Sequence, residues 1–119
     1  MKKSDLEVIK KIKKYCEETR NTLSNVSYTD FNSGNQTYVD KRFACSLYLF
    51  QIGELSNKLS DEVKTEYAEY SWKGAYRLRN IIGHDYEVVG NKTIWDSCQY
   101  NSTILLNYVE KIIYDVARK

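Results

Sequence analysis

The chain has 119 residues, of which 42% are hydrophobic and 29% are charged, and this composition is typical of one globular domain rather than a disordered tail or a fibre. It contains no proline and only five glycines, so long helices meet few breakers, whereas a sandwich or barrel would lack its usual turn residues. The 18 basic and 16 acidic side chains give a net charge of +2, which neither requires nor excludes a nucleic-acid partner. We expect a single domain spanning residues 1–119.

The first predicted helix covers about residues 5–24. Ser4 followed by Glu7 is typical of a capping box at its start. Apolar or small side chains recur every three or four residues, as on one stripe of an amphipathic helix: Leu6, Ile9, Ile12, Cys16, Thr19 and Leu23. Residues 25–36 are rich in Asn, Ser, Thr and Gly without a helical period, and this composition predicts a mobile polar loop.

The second predicted helix, residues 38–59, follows a cap suggested by Thr37 and Asp40 and is apolar on more than one face. One set of apolar positions is Val39, Phe43, Leu47 and Phe50, and the other is Ala44, Tyr48, Ile52, Leu55 and Leu59. Such a helix lies at the centre of a bundle or faces a second chain. Because it carries more apolar surface than one bundle face covers, we expect a symmetric homodimer with this helix and residues 79–86 near the two-fold axis.

The third predicted helix is broken near Ser71. Its first part covers residues 62–70, and the second runs from Trp72 to Gly83, a plausible C-terminal stop. A loop over residues 85–91 leads to a last helix that begins at Lys92 and has a seam close to a heptad repeat. Four long helical segments with short or polar connections predict an all-α fold, an antiparallel up-and-down four-helix bundle.

The sequence lacks the usual residues of a metal or disulfide site. Its three cysteines, Cys16, Cys45 and Cys98, are far apart and form no CxxC pair, and there is only one histidine. We therefore expect neither a zinc site nor a cofactor. No apolar run approaches the ~20 residues of a membrane span, and no apolar stretch follows the N-terminal lysines. We expect a cytoplasmic protein without membrane contact.

The densest polar cluster lies where the third helix meets a loop, in the stretch Arg79-Asn80-Ile81-Ile82-Gly83-His84-Asp85-Tyr86. A modest interpretation is that His84 caps the helix, where the dipole stabilises a cation. Near neutral pH a histidine can accept or donate a proton, and an arginine offers a fixed cationic fork to an anion.

Helix geometry separates the arginine and the histidine of this cluster. Arg79 and His84 lie roughly 140° apart around an ideal helix, so they do not share a face. Either the helix unwinds at Gly83, or Arg79 of one subunit meets His84 of another. Asn80 and His84 do share a face, and we expect Asn80 to have a positioning role. Glu54, on an apolar helix, is interpreted as a partner that orients Arg79 or pairs with another buried cation, or else as a glutamate at the exposed rim.

The segment from Arg79 to Tyr86 resembles the signature of the HEPN superfamily: an arginine, four residues, a histidine, any residue and a tyrosine. It is more specifically similar to the HepT-like toxins that occur beside minimal nucleotidyltransferases (MNT). Ile52-Gly53-Glu54 is similar to the family's Ile-Gly-Glu helix, and Trp72 stands seven residues before the arginine, as the family's tryptophan does. Ser71 departs from the proline that usually precedes that tryptophan.

The resemblance implies a metal-independent endoribonuclease toxin of a type VII-like toxin–antitoxin system. Its active site would be shared between two protomers, with Arg79 and His84 as catalytic residues and RNA as substrate. The partner nucleotidyltransferase would neutralise the toxin by adenylylating the motif tyrosine, Tyr86.

Two alternatives remain open from the residues. The chain could instead be a non-catalytic helical subunit that binds nucleotide or protein for the transferase, although binding alone does not need a titrating group such as His84. Tyr86 could place its phenol at the mouth of the site, or it could pack against Trp95 as loop core, and these two arrangements are not exclusive.

Overall fold

The computed structural model describes all 119 residues, and the fold is all-α, as predicted. The helices are α1 (Lys3–Thr22), α2 (Tyr28–Phe31), α3 (Gln36–Lys58), α4 (Asp61–Glu66), α5 (Trp72–His84), α6 (Asn91–Tyr100) and α7 (Leu106–Ala117). A short 3₁₀ turn spans Tyr86–Val88, and a π-helical turn over Asn101–Leu105 joins α6 to α7 without a break. None of the helices is both long and apolar enough to cross a bilayer.

Four long segments form the bundle: α1, α3, the broken pair α4–α5, and the continuous α6–α7. Adjacent segments run antiparallel, because the end of α1 meets the start of α3, where Lys41 donates to the Thr22 carbonyl at 3.1 Å. The start of α1 correspondingly meets the end of α3, where Asp5 accepts hydrogen bonds from the Ser60 backbone N–H and hydroxyl at 2.9 and 2.8 Å. The predicted break is confirmed at Ser71, whose hydroxyl caps α5 by accepting from the Gly74 N–H.

The interior consists of two groups of buried side chains. The larger group lies among α1, α3, α4, the start of α5 and α7, and its members are Ile9, Ile12, Cys16, Ile52, Leu55, Leu59, Val63, Trp72, Leu105, Leu106, Val109 and Ile112. The smaller group lies beneath the α1–α3 connection: Leu23, Phe31, Cys45, Leu49, Ile94 and Cys98. Of the second set predicted for the α3 segment, Ile52, Leu55 and Leu59 enter the core. Ala44 and Tyr48 are only partly buried.

The predicted capping box at the start of α1 is wrong. Lys2 precedes the helix without a side-chain cap, and Ser4 lies exposed within its first turn. Asp5 is instead 4% exposed and anchors that turn through its two bonds to Ser60. A long-range contact thus replaces the local cap, which a sequence window does not reveal.

The segment predicted as a loop, residues 25–36, contains the short helix α2. Ser27 caps it by accepting from the Asp30 N–H at 3.1 Å. Phe31 at its end is fully buried, with its ring 5.1 Å from that of Trp95. One aromatic side chain in a polar stretch thus fastens this connection to the core.

Candidate functional site

The site is built where α3 and α5 approach most closely, at Gly53. A Cβ atom at this position would lie 2.6 Å from the Ala75 carbonyl oxygen and would collide with the Arg79 Cβ. Only glycine leaves room for the α5 backbone here. The close approach places the start of the Arg79 side chain directly over α3.

The Arg79 guanidinium is held on several sides. Its Nε lies 3.0 Å from Glu54 Oε1, although the N–H is not directed at that oxygen, so the contact is an ion pair rather than a hydrogen bond. Its Nη1 donates to Asn80 Oδ1 at 3.1 Å. Its central carbon lies 4.4 Å from the centre of the Phe50 ring and 5.8 Å from that of Tyr76.

Glu54 therefore lies next to Arg79, in agreement with the interpretation that it orients this arginine. The two side chains are 34% and 27% exposed, so solvent reaches the pair and part of the guanidinium stays accessible. Asn80 joins them, because its side chain contacts Arg79 from the neighbouring position. These three predicted site residues form one cluster, with Phe50 and Tyr76 as further walls.

His84 is the last residue of α5, and the helix stays regular up to it. The helix ends one residue after the predicted stop, but Gly83 has no positive φ and does not form a glycine C-cap. A Cβ at Gly83 would lie 3.1 Å from Phe50 Cε2, so the glycine serves packing instead. Because α5 does not unwind, Arg79 and His84 of one chain stay on different faces of the helix. Of the two options given above, the one in which Arg79 of one subunit meets His84 of another therefore stays a prediction.

The imidazole of His84 is exposed and makes no hydrogen bond or ion pair with the rest of the chain. Asn80 lies one turn before it, on the same face of α5. The structure therefore gathers Glu54, Arg79 and Asn80 on the α3 side and leaves His84 free at the helix end.

Tyr86 lies in the 3₁₀ turn after α5, with its ring stacked on Phe43 of α3 at 5.2 Å between ring centres. The suggested packing against Trp95 is wrong, because that indole contacts Tyr28 and Phe31 instead. The Tyr86 hydroxyl makes no hydrogen bond with the chain, and its ring is only partly buried. The oxygen is thus not engaged in holding the fold.

The outer face of α3 leaves large apolar side chains in solvent around this site. Phe43 is 56% exposed and Leu47 is 54% exposed, on the same face as Phe50 and Glu54. Both belong to the first set of apolar positions named in the sequence, whose other members, Val39 and Phe50, are partly buried within the chain. Phe50 and Tyr76 were not recognised as site residues from the sequence, although each lies one turn before a motif residue, Glu54 or Arg79.

The cysteines are structural. All three are free and buried, and burial raises the pKa of Cys16 to about 12. The hydrogen bond with Cys45, together with burial, raises the pKa of Cys98 well above its ordinary value. Thiols in this state are poor nucleophiles. No group of three or more His, Cys, Asp or Glu side chains is placed to hold a metal ion.

A comparison with protein families identifies the chain over most of its length. The family model described as "Ribonuclease HepT-like" matches residues 6–112, and the chain therefore belongs to the HepT-like family of the HEPN superfamily. Two curated proteins of Methanocaldococcus jannaschii are similar to it. "Putative RNase MJ1216" is 25% identical over 91% of this chain and 86% of its own length, and "Putative RNase MJ0125" is 24% identical over 88% and 87%. No solved structure matches the chain significantly.

Proposed function

We propose that this HepT-like chain is an endoribonuclease that cleaves RNA without a metal ion, with Arg79 and His84 as its catalytic residues. The observation that carries the proposal is the pairing of two unlike groups on one helix. The Arg79 guanidinium is fixed by Glu54, Asn80 and Phe50, while the His84 imidazole is exposed and has no partner. A fixed cation and a free titrating group are what metal-free phosphodiester cleavage requires.

In the proposed reaction the ribose 2′-oxygen attacks the neighbouring phosphorus and the bond from phosphorus to the 5′-oxygen breaks. The His84 imidazole accepts the 2′-hydroxyl proton, and the imidazolium so formed gives a proton to the departing 5′-oxygen. Arg79 stabilises the negative charge that grows on the phosphate oxygens. The products are a 2′,3′-cyclic phosphate and a 5′-hydroxyl end. Glu54 and Asn80 are positioning residues that act through Arg79.

A homodimer would complete this site. Because Arg79 and His84 lie on different faces of α5, one phosphate would be reached by Arg79 of one subunit and His84 of the other. The exposed Phe43 and Leu47 lie beside the motif, so a second copy that covers them would also bring the two motifs together. The two-fold symmetry would give two such sites, each with Arg79 of one subunit and His84 of the other.

The third part of the proposal is regulation by a partner MNT-type nucleotidyltransferase. In this proposal the chain is the toxin of a type VII-like toxin–antitoxin pair, and both proteins act in the cytoplasm. The Tyr86 oxygen would give its proton to a base of the transferase and attack the α-phosphorus of ATP, pyrophosphate would leave, and AMP would remain on the phenol. The oxygen is free for this because it makes no hydrogen bond within the chain. The added phosphate and adenosine would repel and block RNA at the end of α5.

Incubation of the purified protein with RNA in EDTA tests the proposal, with the products examined for 2′,3′-cyclic phosphate ends. We expect cleavage to persist in EDTA and to leave these ends. Cleavage that requires a divalent ion would overturn the metal-free mechanism. RNA binding without cleavage would instead support the non-catalytic subunit considered above, in which Arg79 holds a phosphate and His84 transfers no proton.

A further inference from the structure

The outer face of α5 carries more polar side chains than the motif uses. Four of them recur at the spacing of one helical face, three or four residues apart: Lys73, Arg77, Asn80 and His84. Lys73, Arg77 and His84 are exposed, and Asn80 is partly buried. The four span roughly 17 Å along the helix axis, at 1.5 Å per residue. We call this row the α5 ridge.

The net positive charge of the molecule resides on this helix. Three of the 18 basic side chains and none of the 16 acidic ones belong to α5, which leaves 15 basic and 16 acidic residues elsewhere. Arg79 is paired with Glu54, whereas Lys73 and Arg77 are not among the side chains that form ion pairs. The two exposed cations of the ridge are therefore available to an anionic partner.

The other lysine-rich surface differs in its surroundings. Lys10, Lys11 and Lys14 are exposed on α1, but Glu7, Glu17 and Glu18 lie on the same helix and weaken the local field. Charge patterning of this kind is typical of a solvated helix face. The number of cations alone would favour α1 as the surface for an anionic partner, whereas the balance of basic and acidic side chains favours α5.

We propose that Lys73 and Arg77 bind the backbone phosphates of a single-stranded RNA on one side of the scissile bond. The strand would extend from His84 along the α5 ridge toward the start of the helix. This inference rests on the proposed ribonuclease function and adds binding residues outside the motif. Ammonium and guanidinium groups contact phosphates without reading bases, so the ridge would position the RNA and leave sequence choice to other contacts.

The salt dependence of RNA binding tests the inference. The probe is a short single-stranded oligonucleotide with 2′-O-methyl groups, which has no 2′-hydroxyl to attack, and its binding is measured by fluorescence anisotropy over a series of salt concentrations. The logarithm of affinity falls with the logarithm of salt concentration, and each lost phosphate contact makes this slope shallower by about 0.7 on a single strand. The variant Lys73→Gln/Arg77→Gln should therefore lose about 1.4 in slope and on the order of tenfold in affinity at low salt.

The matched control is Lys10→Gln/Lys14→Gln, which removes two exposed cations at the same helical spacing from α1. We expect its slope to equal that of the wild type, and we expect Lys73→Arg/Arg77→Lys to restore the slope. Equal changes in the two glutamine variants, or no change in either, would overturn the inference while leaving cleavage by the wild type intact. A wild-type protein that neither binds nor cleaves RNA would overturn the proposed function itself.

Discussion

The two ends of α5 have opposite surroundings. At the first turn, Trp72 is 3% exposed, its Nε1 donates to the Tyr67 carbonyl at 2.8 Å, and its ring lies 4.7 Å from that of Tyr70. At the last turn, the His84 side chain is exposed and makes no hydrogen bond or ion pair with the rest of the chain. The helix is anchored in the core at its start and leaves the motif histidine in solvent at its end.

This difference would let one short helix stabilise the fold at its start and, in the proposed ribonuclease, act in catalysis at its end. The core contacts of Trp72 fix the helix, and the close approach at Gly53 fixes its distance from α3. These contacts also fix the positions of the motif residues later in α5, although those residues are not buried themselves. Substitutions near Trp72 should therefore lower the free energy of unfolding, whereas substitutions near His84 should lower RNA cleavage.

The largest effect on stability is expected at the anchored end. Trp72→Ala removes a buried indole and should lower the free energy of unfolding by about 3–5 kcal/mol. His84→Ala should change it by less than about 0.5 kcal/mol, because an exposed side chain without partners is removed. Urea unfolding followed by circular dichroism measures both. Similar losses for the two variants would remove the contrast between the ends.

The largest effect on activity is expected at the open end. Arg79→Ala and His84→Ala should each lower RNA cleavage by at least ~100-fold while the protein stays folded. Arg20→Ala, at the exposed end of α1, is the control and should cleave normally. A mixture of the two inactive variants should recover activity, because one of the two sites in a mixed dimer would be intact. Full activity in His84→Ala would contradict the ribonuclease proposal, and no recovery in the mixture would contradict the shared site.

An intermediate effect is expected at Gly53, between the two ends. Gly53→Ala forces α3 and α5 apart and should cost about 1–3 kcal/mol of stability. It should also lower cleavage, because Arg79 would move with the α5 backbone. Gly34→Ala is the matched control, since a Cβ there meets nothing within 4 Å. Equal behaviour of the two variants in unfolding and cleavage assays would show that the close approach does not hold the site.

The smallest effect on cleavage is expected at Tyr86. Tyr86→Phe keeps the ring that stacks on Phe43 and removes only the unbonded hydroxyl, so most activity should remain. Incubation with the partner nucleotidyltransferase, ATP and Mg²⁺ should inactivate the wild type and spare this variant. Intact mass spectrometry with peptide mapping locates the added AMP. AMP on another tyrosine alone, or equal inactivation of Tyr86→Phe, would exclude Tyr86 as the acceptor.

The long helices are predictable and the motif is recognisable from the sequence because both depend on residues that lie only a few positions apart in the chain. The α3 segment shows this: one apolar set includes the exposed Phe43 and Leu47, and the other includes the buried Ile52, Leu55 and Leu59. The position of Glu54 beside Arg79 was also anticipated, although from alternatives that only the structure could separate.

The errors share one physical cause, which is contact between residues far apart in the chain. Phe31 looked like part of a polar loop, and its burial depends on Trp95. Gly83 looked like a helix stop, and its role depends on Phe50. Such partners meet only once the helices have packed, so no window around Phe31 or Gly83 contains the information.

The π-helical turn at Asn101–Leu105 has a consequence for how the last helix tolerates changes in length. The buried positions Ile94, Cys98, Asn101, Leu105, Val109 and Ile112 stay on one side across it, and two consecutive steps of four residues meet at Leu105. A turn of this type holds one residue more than a regular α-helical turn. Deletion of the exposed Thr103 would therefore leave an ordinary α-helix in the same phase. Deletion of the exposed Glu110, within regular α7, would rotate all that follows by about 100°.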